Sequence, residues 1–203
     1  MTTAIAAPEA PVLATKTYTP DEYLALEVES DTRNEYRNGE VAPMTGGTPA
    51  HNQIAVVLNA LLWFALRGKA YSIFSADQRL WIPDRTMYTY PDSMVIPRPV
   101  ELQPGRKDTV TNPVFIAEVL SSSTQGYDRG DKFAAYRTIA TFQEYLLIDQ
   151  SQHRVEQYTK QSENQWLFTE HRGKEARLLL SSISVELALM DLYENIEFLE
   201  KQE

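Results

Sequence analysis

The 203-residue sequence has no cysteine. Disulfides, zinc–thiolate centres and thiol nucleophiles are excluded outright. Histidine is scarce, with three residues at positions 51, 153 and 171, and their separation gives no histidine-based metal spacing. The glycine loops that cradle phosphates are missing as well. Neither GxxxxGK[ST] nor GxGxxG occurs, and no GxSxG elbow presents a serine. Positive charge is in deficit, 19 Lys and Arg against 28 Asp and Glu, for a net charge of −9 and a pI of about 4.9. This argues against strong nonspecific nucleic-acid binding, which depends on cations releasing counterions from phosphates. It is compatible with clustered carboxylates whose bound metal offsets their charge. Long apolar runs are lacking too. The stretch from Ile54 to Leu66 is broken by Asn59 and reads as too short for a bilayer span.

What remains describes one globular domain. Hydrophobic residues make up 43% and charged residues 23%, enough for a real core without disorder. Residues 1–16 are rich in Ala, Thr and Pro. They lack the cationic and apolar regions of a signal peptide and read as a flexible arm ahead of a domain over residues 17–203. A soluble, cytoplasmic protein is expected.

Local signals divide the domain. Thr19, Pro20 and Glu22 form a capping box with proline at the first helical position, so a helix should run to about Val28. Asn38-Gly39 between short extended pieces is a hairpin signal. Ile54, Val57, Leu58, Leu61, Leu62 and Ala65 recur at helical spacing over His51 to Arg67. Strands are expected at Tyr71–Phe74, Gln78–Ile82, Tyr90–Ile96 and Val114–Leu120, then a helix over Arg129–Ile139. Further strands are expected at Glu144–Asp149, Arg154–Thr159 and Trp166–Glu170, and a short strand and final helix within Leu178–Phe198. Pro97 to Asn112 reads as a polar loop. Strands interleaved with helices, then late hairpins, predict an α/β (α+β mixed) fold with a mixed central sheet flanked by helices.

Glu118 is the most informative position. It interrupts an apolar strand and shares a face with Ile116 and Leu120, where a lone carboxylate is costly without a cation or donors. Alternatives are an edge-strand glutamate reaching solvent, or one paired with an arginine such as Arg79. Asp92 opens the preceding apolar strand, although an aspartate there is often a turn residue. Two such strands side by side would bring both carboxylates together, and together they need a positive partner. Mg²⁺, or Mn²⁺, suits this pairing, with Asp92 and Glu118 as ligands. Lys132, four residues before Tyr136 on one helix face, is placed to stabilise developing negative charge, against the alternative of a solvated surface lysine. Glu35 is a further acidic candidate, with Glu40 competing across the turn. His51 and Tyr136 are candidates for substrate contact, against a histidine that merely starts a helix.

The succession Arg33-Asn34-Glu35-Tyr36-Arg37-Asn38-Gly39-Glu40-Val41, Gly46-Gly47, His51, Tyr90-Pro91-Asp92, Ala117-Glu118-Val119-Leu120-Ser121, Asp131-Lys132-Phe133-Ala134-Ala135-Tyr136, Glu144-Tyr145 and Asp149 resembles the Uma-type restriction-endonuclease family, a branch of the PD-(D/E)XK nuclease superfamily. The pieces are short; their order and spacing over Tyr18 to Phe198 carry the match. The resemblance implies a restriction-endonuclease-like fold, Mg²⁺-dependent cleavage of DNA, and homodimers. Asp92 and Glu118 match the metal-binding acids, and Glu35 matches the N-terminal acidic position. Position 120 departs from the pattern. It holds leucine where the superfamily motif has lysine, and Lys132 on the following helix would take over. A catalytically silent binding or interaction module on the same fold is the alternative.

Overall fold

Thr19 does cap the first helix. In the computed structural model, which describes residues 16–44 and 46–198, its hydroxyl accepts from Glu22 N while Glu22 reaches back to Thr19 N, and α1 runs Pro20–Glu29. Apart from Lys16, the arm expected over residues 1–16 lies outside the described residues. β1 (Asn34–Arg37) and β2 (Glu40–Pro43) pair antiparallel across Asn38 and Gly39, at φ 44° and 104°, a turn those two residues tolerate. α2 (Pro49–Leu66) starts on Thr48, whose hydroxyl accepts from His51 N. β3 (Tyr71–Ser75), β4 (Arg79–Ile82), β5 (Met87–Thr89), β6 (Ser93–Pro97), β7 (Thr109–Val110) and β8 (Phe115–Leu120) follow. A continuous helical run then comprises α3 (Gln125–Tyr127), a π-turn over Asp128–Lys132 and α4 (Phe133–Tyr136). β9 (Glu144–Asp149), β10 (Arg154–Ser162), β11 (Gln165–Arg172), β12 (Arg177–Leu180), β13 (Val185–Ala188) and α5 (Leu189–Leu192) complete the chain.

The central sheet has six strands in the order β11-β10-β9-β8-β6-β3. β8 and β9 are parallel and the other neighbours antiparallel, so the mixed sheet expected from the sequence is present. A second sheet has the order β2-β1-β5-β4-β7, and β12-β13 form a separate hairpin. Three local expectations change. β5 and β7 were not anticipated, because three and two residues are too few for alternation to register. The helix expected from Arg129 begins at Gln125 and ends at Tyr136. The end of the chain holds two paired strands, β12 and β13, where one was expected, and the final helix is a single turn, α5.

Both faces of the central sheet are buried. Phe115, Ala117 and Val119 of β8 pack with Ile54, Leu58, Leu62 and Leu66 of α2 and with the β12-β13 hairpin. Ile116 and Leu120 point the other way, with Met94, Ile96, Tyr136 and Tyr145. The period-two alternation of a strand therefore puts Glu118 on the face covered by the helical run. Truncating a fully buried leucine such as Leu58 should cost about 2–5 kcal/mol. A third cluster of Tyr23, Leu24, Tyr36 and Tyr88 fastens α1 to the second sheet.

α2 corrects the reading of its apolar run. Its 18 residues have a mean hydropathy of 1.2 and a length of about 27 Å, which meets a membrane span by length and composition. Core helices meet the same criterion, and here the row from Ile54 to Leu66 faces the domain's own core.

Candidate active site

Asp92 and Glu118 meet because β6 and β8 are antiparallel neighbours, with Ser93 opposite Ala117. Asp92 sits just ahead of β6 and its Oδ2 accepts the Val119 N–H at 2.8 Å. The Asp92 N–H in turn reaches Glu118 Oε2 at 3.4 Å. Asn59, which breaks the apolar run of α2, secures this strand start. Its Nδ2 donates to the Asp92 carbonyl at 3.3 Å and its Oδ1 accepts from Ser93 Oγ at 3.0 Å. From the other side, buried Glu27 of α1 accepts from Tyr90 OH at 2.7 Å and from Asn34 Nδ2 at 2.6 Å. Tyr90-Pro91-Asp92 is therefore held at both ends.

Lys132 and Tyr136 converge on Glu118 from the helical run. Lys132 Nζ donates to Glu118 Oε1 at 3.0 Å and Tyr136 OH donates to the same atom at 2.7 Å. Lys132 Nζ also lies 3.4 Å from Glu35 Oε1 and 3.2 Å from Asp128 Oδ1. Glu35, on β1, is buried and accepts from Thr89 Oγ1 of β5 at 2.5 Å, while Glu40 is exposed. His51, in the first turn of α2, places Nε2 3.2 Å from Asp92 Oδ1. Gly47 permits this approach, since a Cβ there would lie 2.6 Å from His51 Cδ2. Five of the six residues singled out from the sequence, Glu35, His51, Asp92, Glu118 and Lys132, line one cleft of about 390 Å³. Tyr136 stands apart. It is fully buried behind Glu118, so its hydroxyl orients that carboxylate and does not reach the cleft.

The electrostatics follow from burial and from an excess of acids. Burial drives Glu118 upward most strongly and Asp92 and Asp128 add to it; Lys132 and Tyr136 pull the other way, and the result is about 8. Lys132 has to overcome its own burial, yet Glu118, Glu35 and Asp128 hold its proton well above the ordinary lysine range. The ammonium stays charged, while burial drives Glu118 toward protonation. Burial opposes charging of His51, but the Asp92 acceptor and its charge outweigh it and raise the imidazole.

Asp128 was not among the residues picked from the sequence. Its signal was the four-residue spacing to Lys132, which the π-turn turns into a buried ion pair. The alternative pairing of Glu118 with Arg79 is ruled out, because Arg79 donates to Asp108 at 2.7 Å and to Thr109 at 3.1 Å. Glu144 is likewise structural, fully buried and accepting from Gln157 and from the Ser182 hydroxyl. The Ser121 hydroxyl is engaged within its own loop by Ser123 and Thr124.

Residues 20–190 match the model of the family Uma2, described as "Putative restriction endonuclease". The chain belongs to the Uma2 family. Two relatives in Synechocystis sp. (strain ATCC 27184 / PCC 6803 / Kazusa) are similar over nearly their full lengths. "Uncharacterized protein sll1609" is 42% identical over 174 residues, 86% of this chain and 98% of that protein. "Uncharacterized protein slr1290" is 34% identical over 181 residues, 88% of this chain and 93% of that protein. Among solved structures, "a putative nuclease belonging to DUF820" from Anabaena variabilis ATCC 29413 superposes with a TM-score of 0.70 at 19% identity, covering 87% of this chain and 97% of that one. At that identity the likeness speaks for the fold, which is the nuclease-like α/β fold expected. Uma2 membership and this fold agree on a nuclease-type protein.

The donor set suits a hard divalent cation. Among the described residues no three acidic or imidazole side chains stand at metal-holding spacing. Asp92 and Glu118 supply two carboxylates, and Mg²⁺ accepts such a partial set because it keeps several waters and shares substrate phosphates. Four carboxylates, Glu35, Asp92, Glu118 and Asp128, border a cleft whose one buried ammonium is Lys132. This surplus of negative charge is what a cation would relieve.

Proposed function

We propose that this Uma2 protein is a Mg²⁺- or Mn²⁺-dependent endonuclease that hydrolyses DNA phosphodiester bonds. The observation that carries the reading is the convergence of Glu118 and Lys132, from separate elements, at 3.0 Å beside Asp92. Asp92 and Glu118 would hold the metal. When bound, the ion supplies a lower pKa for water and neutralises charge on the reacting phosphoryl group. The Val119 N–H and His51 fix the Asp92 carboxylate from two directions, and Tyr136 fixes Glu118. Lys132, kept charged by its three acidic neighbours, is set to stabilise negative charge growing on the phosphate. Glu35, 3.4 Å from that amine, steers it. Such positioned charges act strongly because the cleft wall is desolvated.

The test is plasmid cleavage with Mg²⁺ or Mn²⁺, comparing the parent with Asp92→Ala. Metal-dependent nicking that disappears in the variant supports the reading; cleavage that persists in it is contamination and removes the reading. The silent-module alternative draws on Leu120 in the motif position and on the acidic pI. It predicts DNA or protein binding without cleavage under either metal.

We also propose a homodimer through the outer face of α2. Val56, Trp63 and Phe64 are 65%, 52% and 70% exposed, and no Lys, Arg, Asp or Glu occurs from Pro49 to Leu66. On a chain of net charge −9, this is a face on which two copies meet without like-charge repulsion.

A further inference from the structure

Arg37 closes β1, two residues after Glu35, so both side chains leave the strand on the same face. Glu35 meets Lys132 there, and Arg37 lines the same cleft. Its guanidinium carbon lies 4.5 Å from the centroid of the Tyr127 ring. Its Nε is sealed from solvent and makes no hydrogen bond among the described residues; the Tyr127 hydroxyl and His51 Nδ1, both lining this cleft, are likewise without a partner. No ion pair to Arg37 occurs among the described residues. Lys132 is the opposite case, with three carboxylates within 3.4 Å. The permanent cation of the cleft without a carboxylate partner among the described residues is therefore Arg37, while the Lys132 ammonium already has three.

A buried donor left unsatisfied costs free energy, and a charged one beside a carboxylate-rich cleft would ordinarily be drawn to an acid. Arg37 is instead braced on an aromatic face, which limits the rotamer entropy a later contact would cost. Its planar fork matches two non-bridging oxygens of one phosphate. We propose that Arg37, stacked on Tyr127, clamps a backbone phosphate of the nucleic-acid strand next to the scissile bond. The assignment rests on the nuclease reading above. It explains how a polyanion approaches a cleft bordered by four carboxylates, since the clamp and the metal would share the task of offsetting them.

The test is binding of a fluorescein-labelled DNA duplex in calcium across a salt series, for the parent, Arg37→Gln, Arg37→Lys and the exposed control Lys174→Gln. Mn²⁺ binding and thermal melts are run alongside. Arg37→Gln should weaken duplex binding by about tenfold or more and lower the slope of log affinity against log salt by about one. Mn²⁺ binding should be unchanged. Arg37→Lys should recover part of the affinity, because it restores the charge but not the fork. Lys174→Gln should match the parent. In cleavage, the loss should fall mainly on KM. Equal affinity and slope in Arg37→Gln and a parent that binds DNA would overturn the clamp alone. A parent that fails to bind duplex would overturn the nuclease reading and the clamp with it. If Arg37→Gln melts early, Arg37→Lys decides, and full parental affinity in that variant rejects the clamp.

Discussion

Lys132 Nζ lies 3.0 Å from Glu118 Oε1, although position 120, two residues beyond the glutamate, holds leucine. The amine reaches the acid from the helical run rather than from the strand. The π-turn over Asp128–Lys132 widens the helix by one residue and brings Asp128 and Lys132 to bear on the same spot. Such turns recur at functional sites, and this one converts a surface-type spacing into a buried cluster.

This relocation predicts a rescue. Lys132→Ala should slow metal-dependent DNA cleavage by about 10²–10³-fold, the usual scale for losing one positioned electrostatic group. Leu120 shares the Glu118 face of β8 and is 6% exposed. Introducing Leu120→Lys into Lys132→Ala should therefore recover part of the rate. Single-turnover cleavage by the two variants is the measurement. Equal rates in the single and double variants would mean that the amine has to come from the helix.

Glu118→Gln should separate catalysis from stability. The glutamine keeps the shape and leaves Glu35 and Asp128 on Lys132, so no cation is stranded in the core, the event that makes breaking a buried pair costly. Cleavage should vanish while the fold survives. The pH dependence has a definite sign. The folded-state pKa of Glu118, about 8, lies above its ordinary 4.5. The stabilisation from binding that proton is complete below 4.5 and is lost as pH rises through 8. In EDTA, the melting temperature of the parent should fall relative to Glu118→Gln as pH is raised from 5 to 8. A parallel pair of melting curves across that range would contradict the burial of this carboxyl.

Much of this site was legible in the sequence, for a physical reason. A carboxylate in an apolar strand and another at the head of the neighbouring strand are each unfavourable without a partner, so Glu118 and Asp92 stood out. The capping box at Thr19 and the turn at Asn38-Gly39 were equally readable, because each is fixed by residues within a few positions. Asp128, Arg37 and Asn59 were not. Their roles depend on contacts such as Asn59 with Ser93 and Arg37 with Tyr127, and no local pattern encodes those distances. Tyr136 was found but misplaced. Its spacing from Lys132 gave the correct helix face, while its burial behind Glu118 depends on how the helical run lies on the sheet.

Divalent metal should act as a stabilising ligand. An ion that binds only the folded state at about a hundred times its dissociation constant adds about 2.7 kcal/mol, a shift of several degrees for a domain of this size. Mn²⁺ should raise the melting temperature of the parent, EDTA should reverse the rise, and Asp92→Asn should abolish it. Because Glu118 must lose a proton to serve as a ligand, the Mn²⁺ shift should grow as pH approaches 8. An equal Mn²⁺ shift in the parent and in Asp92→Asn would place the ion elsewhere.

Trp63 and Phe64 stack edge to face at 5.2 Å on the outside of α2, with Val56 about two turns nearer the N-terminus on the same exposed side. Residues seven and eight apart lie on one helical stripe, so the three form a continuous apolar ridge beside the small Ala60. In the proposed homodimer this ridge would meet its copy about a two-fold axis, each copy packing its large residues against the other's small ones. The parent should therefore run as a dimer in size-exclusion chromatography with light scattering. Phe64→Glu should give a monomer, because it removes an exposed aromatic from the ridge and places like charges face to face across the axis. The substitution is on the exposed side, so the monomer should keep its melting behaviour and its Mn²⁺ response. A parent that is already monomeric at tens of micromolar, or a Phe64→Glu variant that remains dimeric, would move the self-association surface away from α2.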